Sequence, residues 1–460
     1  MKIDFRNEVL KRKDEIIKDV QSIIRIKSEL TTFDPNRVGA PFGEGNKEAL
    51  DWMLALGEKD GFKTVNVDGF AGHIEYGDQK EFVGIMGHLD VVPAGNDWTY
   101  PAYGAEIHDN KIYGRGAEDD KGPTIASYYA MKILKELNVP LSKRIKLVLG
   151  IDEESGWRCV RHYFMKYPET PVSGFIPDAD FPLIYAEKGI TRTVLKTEMT
   201  DDKIISIDAG FRDNMVPDFA LAKLVFNSSY ESLFNDYVKK NQLDATFSVE
   251  NNEIIVRVTG ISAHGSTPEL GKNAIDYLFD ILNALHIENN LTQLVNTYLS
   301  HDNYGKKLGI NYKDEEMGDL TVNFGVLKYD GKNVLINLNL RYPNGVDYQK
   351  DVFEKIEQLV KPLGFTVSVE HHQKLLYNDP NSELVQTLMK VYYKHTNDLE
   401  AKPITIGGGT FARAMPNTVA FGPHFLGKPS YIHQKNEFID IDDLLKATII
   451  YLESLYELAK

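Results

Sequence analysis

The alternation of short apolar runs with helical patterns between residues 81 and 178 constrains this chain more than any other feature. The runs "EFVGIMG", "RIKLVLG" and "GFIPD" are separated by the helical pattern "TIASYYAMKILKELN" and by a second, shorter helix expected after Gly156. Strands alternating with helices imply a largely parallel sheet covered on both faces, an α/β architecture. In such sheets function gathers in loops at the carboxyl ends of the strands. Upstream, Ile16, Ile17, Val20, Ile23 and Ile24 recur at three- and four-residue spacing and predict an opening amphipathic helix. A second helix through "NKEALDWMLALGEKDGF" is expected to end near Gly61.

Past Gly189 the pattern changes. "ITRTVLKTEM", "NEIIVRVTG", "DLTVNFGVLKY" and "NVLINLNLRYP" alternate as half-buried strands do, interspersed with helices such as "NAIDYLFDILNALH". From about residue 380 the first style returns with the helix "SELVQTLMKVYYKHT", the strand and loop "PITIGGGT", and the closing helix "DIDDLLKATIIYLESLYEL". The simplest organisation is one α/β domain, 1–189 and 381–460, interrupted by an inserted α+β domain, 190–380. A length of 460 residues agrees with two or three domains at about 100–200 residues each.

A formal charge of -15 argues against a nucleic-acid surface, which needs clustered Lys and Arg, and leaves open the binding of a cation. No run of about 18 apolar residues spans a membrane, and the charged N-terminus lacks the apolar core of a signal peptide. The one cysteine, Cys159, cannot form an intrachain disulfide and reads as a packing residue. Together these features point to the cytoplasm.

The first apolar run stops abruptly in "GIMGHLDVVPAGND", which sets His88 and Asp90 two positions apart. Side chains two apart on a strand share a face, an arrangement that suits a metal ligand and its orienting carboxylate. Four further segments lie where strands should end or connecting loops begin: "GRGAEDDKG" with Asp119, "GIDEESG" with Glu153 and Glu154, "IPDADFP" with Asp178, and "YIHQKNEF" with His433. Alone, an acidic loop is usually solvated surface and a strand-end histidine a hydrogen-bonded core residue. The conjunction points to convergence at one edge of the sheet.

The chain resembles the family of two-metal metallopeptidases that includes aminoacylase, carnosinase, succinyl-diaminopimelate desuccinylase and bacterial dipeptidases. The matching motifs are "GHLDVVPAG", "GRGAEDDKG", "DEESG", "PDADFP", "AHGSTPELGKNA", "GGGTFAR" and "HQKNE", spread over nearly the whole length. The resemblance implies that His88 and Asp178 bind one ion, Glu154 and His433 the other, and that Asp119 bridges them, the pair lying about 3.5–4 Å apart. Asp90 would accept the other ring N–H of His88 and fix its tautomer. Glu153 would be the general base acting on a water that bridges the ions. His264 would stabilise the oxyanion from the lid, with Asn214 nearby. Arg341 and the loop Gly407, Gly408, Gly409, Thr410 would hold a carboxylate. Histidine with carboxylates favours zinc, and an oxygen-rich set also accepts manganese or cobalt.

An insert of about 190 residues resembles the enlarged lid of monomeric bacterial dipeptidases of the dipeptidase V type. The expectation is therefore a monomeric dipeptidase acting on unblocked dipeptides. The rivals are an N-acyl amino acid deacylase, which needs the same metals but no ammonium pocket, and a catalytically silent peptide-binding protein, which would be expected to have lost Glu153 or a ligand.

Overall fold

The computed structural model describes residues 3–460. These form two compact units, one of residues up to Ala186 with Tyr377–Ile404 and Thr410–Lys460, the other of Glu187–Leu376 with Thr405–Gly409. The sequence places Thr405–Gly409 with the closing part of the first domain, whereas these five residues cluster with the second unit.

The first unit is built on a mixed sheet. Its centre runs Arg144–Gly150, Phe82–His88, Ser173–Ile176, Thr418–Ala420, with all neighbours parallel. Antiparallel strands Ala71–Tyr76 and Lys63–Val67 extend it beyond Arg144–Gly150. Every residue of Phe82–His88 and of Arg144–Gly150 is buried, which requires cover on both faces; the two charges of the second strand, Arg144 and Lys146, are paired with Glu75 and Glu169. Helices Lys121–Glu136 and Ile441–Ala459 pack together and against Phe82–His88, while Glu44–Lys59 packs on the antiparallel edge.

Register decides what meets at the strand ends. His88 pairs with Gly150, and the Leu89 N–H continues the ladder to the Gly150 carbonyl at 2.9 Å. On the other side Ile85 pairs with Phe175, so three residues further each chain reaches His88 and Asp178. Gly87 allows a close approach here: a Cβ at this position would lie 2.1 Å from Thr124 Oγ1 and 2.8 Å from Asp120 Oδ2. Without one, Asp120 comes near enough to accept the His88 N–H at 3.0 Å and the Thr124 hydroxyl at 3.0 Å. The strand end is thereby joined to the amino end of helix Lys121–Glu136, where the helix dipole favours acidic groups.

The second unit is an eight-stranded sheet in which every pairing is antiparallel, in the order Ala245–Glu250, Glu253–Thr259, Phe219–Val225, Ile204–Ala209, Thr321–Tyr329, Asn333–Tyr342, Gly189–Glu198, Thr366–Gln373. Phe219–Val225 alternates buried with less buried positions, and helix Ala274–Ala284 covers the buried side. Its core includes Leu195, Val256, Phe279, Leu327 and Leu338.

Candidate metal centre

His88, Asp119, Glu153, Glu154, Asp178 and His433 meet at the carboxyl edge of the first unit's sheet. His88 Nε2 lies 2.9 Å from Asp119 Oδ1 and 3.6 Å from Asp178 Oδ2. His433 Nε2 lies 3.0 Å from Asp119 Oδ2 and 2.9 Å from Glu154 Oε1. The two oxygens of Asp119 thus face different imidazoles. Two sets offer ligand atoms mutually within 4.8 Å, His88 with Glu153 and Asp178, and His88 with Asp119 and Glu154.

Asp90 departs from the expected arrangement. The His88 Nδ1 contact within hydrogen-bond distance is the main-chain carbonyl of Asp90 at 3.0 Å, with the carboxylate oxygen further off at 3.6 Å. The carboxylate instead accepts the backbone N–H groups of Glu153 at 3.0 Å and Glu154 at 3.1 Å. Two successive peptide donors on one carboxylate fix the loop that presents both glutamates. Asp90 therefore orients the histidine through its backbone and the glutamate pair through its side chain.

Electrostatics fit a cationic occupant. Burial raises Glu153 well above the usual carboxylate range; nearby Asp178, Glu154 and Asp119 add to this against the opposing effect of His88. Burial and Asp119 push Asp178 up to about 7, and burial raises Glu154 despite its bond to His433. His433 is pushed up to about 10 by its bonds to Asp119 and Glu154. Burial acts to lower His88, but its bond to Asp119 and the nearby carboxylates of Asp90, at 3.6 Å, and Asp178 outweigh that and hold it well above the ordinary range. Crowded carboxylates of this kind repel one another, and divalent cations relieve that repulsion.

Two buried acids with no expected role support this edge. Asp120 receives His88 N–H and Thr124, as above, and Glu437 receives the backbone N–H groups of Glu118 at 3.1 Å and Asp119 at 3.2 Å. Both lie inside motifs visible in the sequence, "AEDDKG" and "HQKNE", yet nothing in their spacing separates them from solvated acids. Cys159 is buried and its thiol pushed up by that burial, as suits a packing residue.

In the second unit, His264 is exposed on a loop joined to Met215 by an antiparallel bridge. Its Nδ1 lies 2.6 Å from Ser266 Oγ and accepts the Ser266 backbone N–H at 3.3 Å. Partial burial and the positive charge of Arg341 lower its pKa. Asn214 is exposed on the adjoining loop, its carbonyl accepting Gly265 N–H at 2.8 Å. Arg341 is buried; its Nε donates to Asn339 Oδ1 at 3.1 Å and its Nη1 to the Gly407 carbonyl. Gly408 and Gly409 follow within the same unit. Thr410 falls in the first unit, where its hydroxyl accepts Ala412 N–H at 3.2 Å.

An α/β sheet with imidazoles and carboxylates converging at its carboxyl edge, in a chain with a large α+β insert, defines a metallopeptidase, a hydrolase that uses metal ions to cleave amide bonds. The model of Peptidase family M20/M25/M40 matches residues 84–457, and the chain belongs to that family. Its relatives include "Putative dipeptidase YtjP" of Bacillus subtilis (strain 168), 43% identical with 100% of each chain covered. A "Putative dipeptidase" of Staphylococcus epidermidis (strain ATCC 12228 / FDA PCI 1200) is 39% identical with 99% of each covered. The fold is shared with human carnosine dipeptidase 1, with a TM-score of 0.57 at 15% identity over 99% of this chain and 98% of that one. It is shared too with the di-peptidase Dug1p of Saccharomyces cerevisiae, with a TM-score of 0.58 at 14% identity over 98% of each. Among the described residues no helix is long and apolar enough to cross a membrane.

Proposed function

We propose that the chain hydrolyses unblocked dipeptides as a monomeric enzyme of the cytoplasm, using two divalent ions held by His88, Asp119, Glu154, Asp178 and His433. The observation that carries this reading is the disposition of Asp119, with Oδ1 2.9 Å from His88 Nε2 and Oδ2 3.0 Å from His433 Nε2. Opposed oxygens support a bridging carboxylate, with His88 and Asp178 serving one ion and Glu154 and His433 the other. The donor set favours zinc, and manganese or cobalt also suits it. When bound, such ions polarise a carbonyl and lower the pKa of the attacking water.

Glu153 supplies the proton transfer. Its carboxylate takes a proton from water as oxygen attacks the scissile carbonyl carbon, and returns it to the departing nitrogen as the C–N bond breaks.

His264 supplies a hydrogen bond to the carbonyl oxygen as that oxygen becomes negative. The Ser266 N–H can only donate, so Nδ1 of the neutral ring accepts and Nε2 carries the proton. Asn214 assists at the same oxygen. Arg341, with Gly408, Gly409 and Thr410, takes the substrate carboxylate, and the bond to Asn339 holds the plane of the guanidinium. A carboxylate held one residue from the scissile bond selects by length, since misplacement by about 1 Å can cost about a hundredfold in rate.

The dipeptidase names of the relatives support the substrate class. The test is metal-depleted protein assayed on a dipeptide panel as each ion is restored, beside the N-acetylated forms. Turnover of the free dipeptides is expected. Preference for the blocked compounds would reassign the chain as an N-acyl amino acid deacylase.

A further inference from the structure

Glu437 lies four residues past His433 and immediately before the strand Phe438–Asp440, which pairs antiparallel with Lys111–Tyr113. Its side chain is fully buried. Oε1 accepts the N–H groups of Glu118 and Asp119 at 3.1 and 3.2 Å, and Oε2 accepts from Arg115 Nη1 at 2.5 Å. Its own main-chain carbonyl accepts Gly114 N–H at 2.9 Å. A buried carboxylate is costly unless charge and hydrogen bonds compensate it, and here its hydrogen bonds come from one segment, residues 115–119, with the charge of buried Lys121 adding to them.

The strand pairing already joins this part of the chain to residues 111–113, so sheet formation does not need the side chain. What the side chain adds is control over two consecutive peptide groups, the second belonging to Asp119. Fixing that peptide fixes the direction in which the Asp119 side chain leaves the backbone, and its contacts with His88 and His433 then orient the two oxygens. Glu437 is also tied by sequence to His433. One buried group therefore couples two ligand loops that lie far apart along the chain.

We propose that Glu437 is a positioning residue that holds Asp119 for both ions at once. The proposal rests on the bridging role of Asp119. It distinguishes Glu437 from the direct ligands: loss of Glu437 weakens the two ion sites in parallel, whereas loss of His433 weakens one site before the other.

The test is calorimetric titration of metal-depleted full-length protein with zinc and, separately, cobalt, whose visible absorption reports each site. Glu437→Gln is expected to raise both dissociation constants by about 10- to 100-fold, as loss of groups behind metal ligands commonly does. Because this change leaves Arg115 buried beside an amide, the paired variant Arg115→Met with Glu437→Leu removes the ion pair without leaving an uncompensated charge. It is expected to fold, judged by circular dichroism and a cooperative melt, and to show the same parallel loss. Binding of two ions within about twofold of the parent by either folded variant, or weakening of one site alone, would overturn the proposal. Asp119→Asn separates the two ideas. If that variant binds both ions as the parent does, the bridging role fails; if it loses both while the Glu437 variants do not, only the positioning role fails.

Discussion

Asp119 and His264 both sit on loops, and the loops are of opposite character. Asp119 is held by a buried framework: Glu437 receives its peptide N–H, and the helix beginning at Lys121 follows directly. His264 is exposed, on a loop kept in shape by the Thr267 N–H bond to its carbonyl at 3.0 Å and by the bridge to Met215. The first unit uses its polar interior to fix the peptide of Asp119 and the loop of Glu153 and Glu154. The second presents its histidine on a short turn that depends little on a core. Ion binding is therefore expected to follow the packing of the first unit, and turnover to depend on both.

The largest expected break in this comparison is Glu153→Ala. It should lower kcat by about a thousandfold, within the range general bases contribute, while ions bound per chain by plasma mass spectrometry stay unchanged. Next is His264→Ala, expected to lower kcat by about 100- to 1000-fold with no change in ion affinity. Loss of ions from that variant would erase the contrast between the loops. Asp90→Ala should act from the other side, weakening ion binding by about 10- to 100-fold, since the N–H groups of Glu153 and Glu154 lose their acceptor.

The smallest effect concerns stability and sharpens the contrast between a buried and an exposed imidazole. His73 lies on the first unit's sheet, paired with Tyr163 Oη at 3.0 Å, and burial lowers its pKa to about 4. Below the ordinary value of about 6.5 the unfolded chain binds a proton that the folded one refuses. This part of the stability is complete above about pH 6.5 and is lost as pH falls toward about 4, at up to about 1.4 kcal/mol per pH unit. Denaturant melts at pH 7 and 5.5 should show the loss, and His73→Phe should reduce it. An equal loss in that variant would remove His73 from the explanation.

Much of this organisation was legible in the sequence. The apolar runs ending at His88 and Gly150 are buried strands, and the change of style past Gly189 coincides with an antiparallel sheet. The alternation of strands with helices implies parallel strands, whose carboxyl ends share one edge, and His88 indeed lies beside Gly150 there. What stayed hidden was who holds whom. The opening pair His88 and Asp90 suggests a carboxylate behind a ring, yet the side chain of Asp90 turns to the glutamate loop and leaves the closer contact to its own carbonyl. Glu437 and Asp120 bond to backbone groups, and a backbone partner leaves no residue pattern to read. The loop Thr405–Gly409 clusters with the second unit through contacts such as Arg341 with Gly407, which local composition does not encode.

The most direct measurement is anomalous diffraction from crystals of the zinc-loaded protein. Two peaks about 3.5–4 Å apart are expected, one beside His88 and Asp178, the other beside Glu154 and His433, with an oxygen of Asp119 on each. A single peak, or a pair with Asp119 touching only one, would contradict the two-ion centre.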